Sequence, residues 1–173
     1  MPEPRSKKQP KAGRSAKSAP AGTRTKKYLS PQMDLSGIQA GFTRADLEFE
    51  GLDHAGASFE ARVFFNNPEA SEATEKTLAQ GYAGSFYLFG HGGCFGDFGH
   101  CEVHGLPRPY DPRPSNPLLP IKKTLIATEA VRRALAQSPN LRVTVIPVIT
   151  GMTEKCELAD VLKFERLSIV TYQ

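Results

Sequence analysis

One stretch of the chain gathers most of the side chains that can do chemistry: Gly90-His91-Gly92-Gly93-Cys94-Phe95-Gly96-Asp97-Phe98-Gly99-His100-Cys101-Glu102-Val103-His104. Three of the four histidines and two of the three cysteines fall within the fourteen residues 91–104. Thiolate and imidazole together favour copper(I) or zinc, and the interspersed glycines allow the backbone to fold closely about an ion. His91, Cys94, His100, Cys101 and His104 are therefore candidate metal ligands, with copper(I) the preferred ion. Their spacing, H-x2-C-x5-H-C-x2-H, is that of no common zinc site. The same residues also have a plainer reading. Cys94 and Cys101 are then bridged or simply packed, the histidines donate hydrogen bonds to loop carbonyls, and the glycines supply positive-φ turns.

Catalytic arrangements fail on inventory. The chain has no G-x-S-x-G nucleophile elbow, no phosphate loop and no H-E-x-x-H pair, and Asp97 with Glu102 has no evident cause of a shifted pKa. A cysteine nucleophile needs a histidine base, and Cys101 with His104 is the candidate pair. A blue-copper site requires a late cysteine followed closely by a histidine. Cys156 is the only late cysteine and no histidine follows it, which excludes that site. The sequence therefore predicts no catalytic residue.

The elements that must hold this segment are strands. Leu47, Phe49 and Leu52 are interleaved with Glu48 and Glu50, and Phe59, Ala61, Val63 and Phe65 alternate with Glu60, Arg62, Phe64 and Asn66. Period-two alternation of this kind marks half-buried strands. The polar stretch 69–80 has room for one helical turn, and the aromatic run 84–90 resumes an extended conformation. Residues 90–120 are rich in glycine and proline without sustained periodicity, a long irregular excursion of the kind that carries function or is disordered. Residues 121–127 read as a strand, Thr128 as the cap of a two-turn helix over 129–135, and 141–149 and 163–172 as the last strands. Many short strands, turn-rich spacers and one small helix predict an antiparallel all-β sandwich.

Charge divides the chain. Residues 1–30 hold nine of the 22 Lys/Arg and one of the 18 Asp/Glu, leaving 13 basic and 17 acidic residues beyond them. A segment of Pro, Ser, Ala, Gly and Lys/Arg buries too little apolar surface to offset its ordering entropy. The expectation is a disordered basic tail over 1–30 and one domain over 31–173, after a short lead-in at 31–41. Without interleaved aromatics for base stacking, the tail is not expected to bind nucleic acid. No apolar run approaches a membrane span and the first thirty residues lack the apolar region of a secretory signal, so a cytoplasmic location is expected. Three cysteines in a chain of 173 residues do not demand a disulfide framework.

Five segments together resemble one family. Residues 59–68 (FEARVFFNNP), 82–90 (YAGSFYLFG), the His/Cys stretch 91–104, 121–134 (IKKTLIATEAVRRA) and 141–147 (LRVTVIP) are similar to the C-terminal β-sandwich of the tyrosinase, polyphenol oxidase and haemocyanin group. The resemblance covers roughly 45–172. It implies a cupredoxin-like sandwich that packs over the dicopper (type-3) centre of a helical oxidase domain and often inserts a side chain there in place of substrate. The helical domain is missing here, and four histidines cannot supply three to each of two coppers. What the resemblance carries over is the cover, and not the oxidation of phenols.

Three roles follow as expectations. The first is a non-catalytic lid on a tyrosinase-like copper oxidase, with Phe95, Phe98 or Tyr110 as the aromatic anchor entering an apolar pocket. The second is an assistant that delivers copper(I) to that oxidase through the Cys/His segment. The third is a structural scaffold whose basic tail tethers it electrostatically to its partner.

Overall fold

The computed structural model describes residues 25–39, 41–91, 118–149 and 160–173. Their secondary structure is mostly antiparallel sheet with one short helix. The strands are β1 (Tyr28–Leu29), β2 (Met33–Asp34), β3 (Arg44–Leu52), β4 (Phe59–Phe65), β5 (Tyr82–Leu88), β6 (Ile121–Ile126), β7 (Asn140–Leu141), β8 (Val143–Ile149) and β9 (Arg166–Tyr172), with helix α1 (Thr128–Gln137) between β6 and β7. One sheet has the order β1-β8-β4-β5, a second has β6-β3-β9, and β2 pairs with β7 at the side.

The alternation in β3 and β4 explains why the two sheets face one another. Ala45, Leu47 and Phe49 of β3 and Phe59, Ala61, Val63 and Phe65 of β4 are all buried in one core with Phe86, Leu88, Val143 and Val145. Phe49 links the layers: its ring centroid lies 4.9 Å from that of Phe86 in the opposite sheet and 5.4 Å from that of Phe164. The period breaks at the end of β3, where Leu52 is buried although it is three residues beyond Phe49. Gly51, at φ +67°, takes up the extra residue as a bulge in the pairing with β6, and Leu52 thereby returns to the core face.

The outer face of β4 is not left to water. Phe64 packs with Ala70, Ile146 and Tyr82 in a small second cluster beneath the connection from β4 to β5. That connection ends in a single 3₁₀ turn, Leu78–Gln80, which agrees with the one helical turn expected there. It is pinned at several points: Thr144 Oγ1 donates to the carbonyl of Asn67 at 2.9 Å, Arg62 of β4 donates to the Glu72 carbonyl at 2.7 Å, and Lys76 bonds Glu60 of β4.

Three expectations need correction. Tyr28 and Leu29 pair with Val145 and Thr144, and Ser30 is 4 % exposed, so the domain reaches back into the stretch assigned to the tail. The Ser30 hydroxyl accepts the Val143 N–H at 2.9 Å, a specific bond that composition could not foretell. The lead-in is also partly a strand, since Met33–Asp34 pairs with Asn140–Leu141. Thr128 is the first residue of α1 rather than its cap, and its hydroxyl accepts the Ala45 N–H at 3.1 Å, joining the helix to the start of β3. The helix ends before Pro139 as expected and buries Ala130, Val131 and Ala134. The remainder of the tail segment, 1–24, lies outside the described residues.

Candidate functional site at the end of strand β5

Strand β5 delivers the chain to the His/Cys segment, and its last residues are held tightly. Leu88 pairs with Phe59, the Gly90 N–H donates to Ser58 Oγ at 3.0 Å, and the His91 N–H donates to the His54 carbonyl at 3.0 Å. The turn between β3 and β4 and the exit of β5 are thus zipped together. A side chain at position 90 would run into the backbone of Gly56 and Ala57, so glycine is the residue that permits the close approach.

This zipper sets two imidazoles side by side. The ring centroids of His54 and His91 are 5.2 Å apart with the planes at 67°, and Phe89 stands 5.8 Å from the His91 ring. His54 is half-buried and His91 exposed. His54 Nε2 lies 2.9 Å from the Leu119 carbonyl oxygen. A carbonyl can only accept, so the proton sits on Nε2 and a neutral His54 keeps its lone pair on Nδ1. Phe89 is 78 % exposed and Leu119 58 %, which makes this end of the sandwich an apolar and imidazole-bearing surface.

Of the residues expected to act, the structure describes only His91. Cys94, Phe95, Phe98, His100, Cys101, His104 and Tyr110 lie outside the described residues, and among those that are described no group of three or more His, Cys, Asp or Glu converges as a metal site. Sequence reasoning passed over His54 and Phe89. His54 is the one histidine distant from the others in sequence, and only the antiparallel pairing of β4 with β5 returns it to His91. Phe89 belongs to a run that reads as core strand, and the strand ends one residue before it.

Several carboxylates of the strands are committed to ion pairs. On the outer face of the second sheet Asp46 is paired with Arg44 at 2.7 Å, Glu48 with Lys122 at 2.7 Å and Glu50 with Arg166 at 2.6 Å. The bond from Arg166 holds the Glu50 carboxyl below the ordinary carboxylate range. Burial by itself would raise Glu60, but hydrogen bonds from Lys76, Arg62 and Ser85 outweigh it and hold that carboxyl low. Carboxylates kept ionised by cations are poor general acids. A separate cleft of about 230 Å³ lies between the 3₁₀ turn and α1, lined by Leu78, Gln80, Tyr82, Arg133 and Gln137 among others.

No protein-family model and no curated relative matches the chain. Among solved structures, a recombinantly expressed latent aurone synthase, a polyphenol oxidase co-crystallized with hexatungstotellurate(VI), is similar over 85% of this chain at 14% identity and a TM-score of 0.48. The latent aurone synthase from natural source is similar over 85% at 11% identity and a TM-score of 0.47. In each case 24% of the other protein is covered, so the chain spans about a quarter of the length of the solved structures it matches. No helix among the described residues is long and apolar enough to cross a membrane.

Proposed function

We propose that this chain is a non-catalytic accessory domain that covers the dicopper site of a tyrosinase-like oxidase. The observation that carries this reading is where the family-like segments fall. Residues 59–68, 82–90, 121–134 and 141–147 fall on β4, β5, β6 with most of α1, and β7–β8, that is on three of the four strands of one sheet and one of the three strands of the other. The resemblance is thus borne by the elements that build the core and by the strand that presents an exposed end. Phe89, rigidly based on β5 and 78 % exposed, suits the part of an aromatic anchor in an apolar pocket. Phe95, Phe98 and Tyr110 remain proposed anchors from sequence alone.

The test is to purify the protein from its native source, identify a co-purifying copper oxidase, and add the isolated domain to that oxidase during phenol turnover. Inhibition is expected, and Phe89→Ala should weaken it by about tenfold or more, as removal of a binding hot spot does. Turnover of a phenol by the isolated metal-free chain, or an oxidase indifferent to its addition, would overturn the proposal.

A second reading, delivery of copper(I) through His91, Cys94, His100, Cys101 and His104, is favoured by one observation: His91 lies beside another imidazole. A Cys94→Ser/Cys101→Ser variant that still inhibits but no longer loads copper supports it. Loading that proceeds unchanged in that variant removes it.

A further inference from the structure

We infer that His54 and His91 form a two-imidazole site for a divalent first-row transition ion, independent of the cysteines. Three observations converge on the pair. First, metal–nitrogen bonds of about 2.0–2.1 Å at a tetrahedral angle place two ring centroids roughly 5 Å apart, and the observed separation is 5.2 Å. Second, His54 donates its Nε2 proton to the Leu119 carbonyl. Metal-binding histidines commonly hold their rings this way, with the far nitrogen bonded to a backbone carbonyl and the near one turned over to the ion. Third, the backbones of the two residues are joined directly by the His91 N–H to His54 carbonyl bond at 3.0 Å, and Gly90 is clamped to Ser58, so the imidazoles are based on a rigid strand end.

The ion follows from the donors. Neutral imidazole suits zinc and copper(II), whereas a hard cation such as magnesium or calcium demands oxygen. With two protein nitrogens the remaining coordination positions belong to water. The site is therefore an open one, able to accept a further donor from a partner, and it stands whether or not the domain covers an oxidase.

The experiment uses the full chain in a Cys94→Ser/Cys101→Ser background, titrated separately with zinc and with copper(II) by calorimetry. His54→Gln and His91→Gln are each expected to weaken binding by about tenfold or more, in line with the loss of a ligand. His100→Gln/His104→Gln should stay within about threefold, and electron paramagnetic resonance of the copper(II) form should show two nitrogen ligands, as imidazole donors require. Thermal unfolding of the metal-free variants checks that they fold; His91 is exposed, so its variant stays informative if His54→Gln is destabilised. The inference fails if the background protein binds neither ion, or if either single variant binds as the background does.

Discussion

Glu60 shows how a single residue on the face of a strand can set a pH limit. It is 4 % exposed, and three hydrogen bonds keep its carboxyl ionised despite burial. A carboxyl lowered in the fold stabilises the protein above its unfolded value, about 4.3 for glutamate, and that contribution is lost as pH falls through the lower, folded value. Unfolding by urea should therefore show stability dropping on the acid side of that value. Glu60→Gln should be less stable than the parent at pH 7, with the gap closing as the pH is lowered through that window; a gap that persists unchanged to pH 3 would refute the assignment. Gly90 makes a second point at this scale. Gly90→Ala forces a methyl group into the backbone of Gly56 and Ala57, and should separate the two imidazoles while leaving the body of the sandwich folded. Loss of zinc affinity with little change in circular dichroism is the expected result.

Among the elements, β3 and β1 carry the clearest consequences. Phe49 of β3 is fully buried between Phe86 and Phe164, and its truncation to alanine removes contacts to both layers. The expected loss is about 3–5 kcal/mol, measurable by denaturant unfolding, since buried phenylalanines rarely leave sites that collapse completely. Strand β1 is short, yet Tyr28 meets Phe164 at 4.7 Å and Ser30 bonds Val143. Removing residues 1–24 should leave the melting temperature unchanged. Removing 1–30 should cost about 2 kcal/mol, the order expected from a few lost hydrogen bonds and one aromatic contact. Equal melting temperatures for the two truncations would show that β1 contributes nothing.

At the scale of the whole molecule, charge is segregated. Residues 1–24 hold seven of the Lys/Arg and one acid, while residues beyond 30 carry more acids than bases. If the basic segment tethers the domain to an acidic partner, deleting 1–24 should weaken that affinity at low salt and scarcely at high salt, because exposed charges are screened within about 8 Å at physiological ionic strength. An affinity that is the same with and without the segment at every salt concentration would end the scaffold-and-tether role.

The period-two alternation in 47–65, the aromatic run at 84–90, the helix start near Thr128 and its stop at Pro139 were legible in the sequence, because local patterning and proline sterics depend on neighbours along the chain. So was the concentration of histidine and cysteine in 91–104, as chemistry, though not as geometry. Other features arise only when distant segments meet. Leu52 is returned to the core by a bulge, Ser30 is drawn into the sheet by Val143, and Thr128 is diverted from capping by the Ala45 N–H. The pairing of His54 with His91 is of the same kind. Thirty-seven positions separate them in the chain, and antiparallel registration between β4 and β5 closes that distance to one hydrogen bond and two adjacent rings.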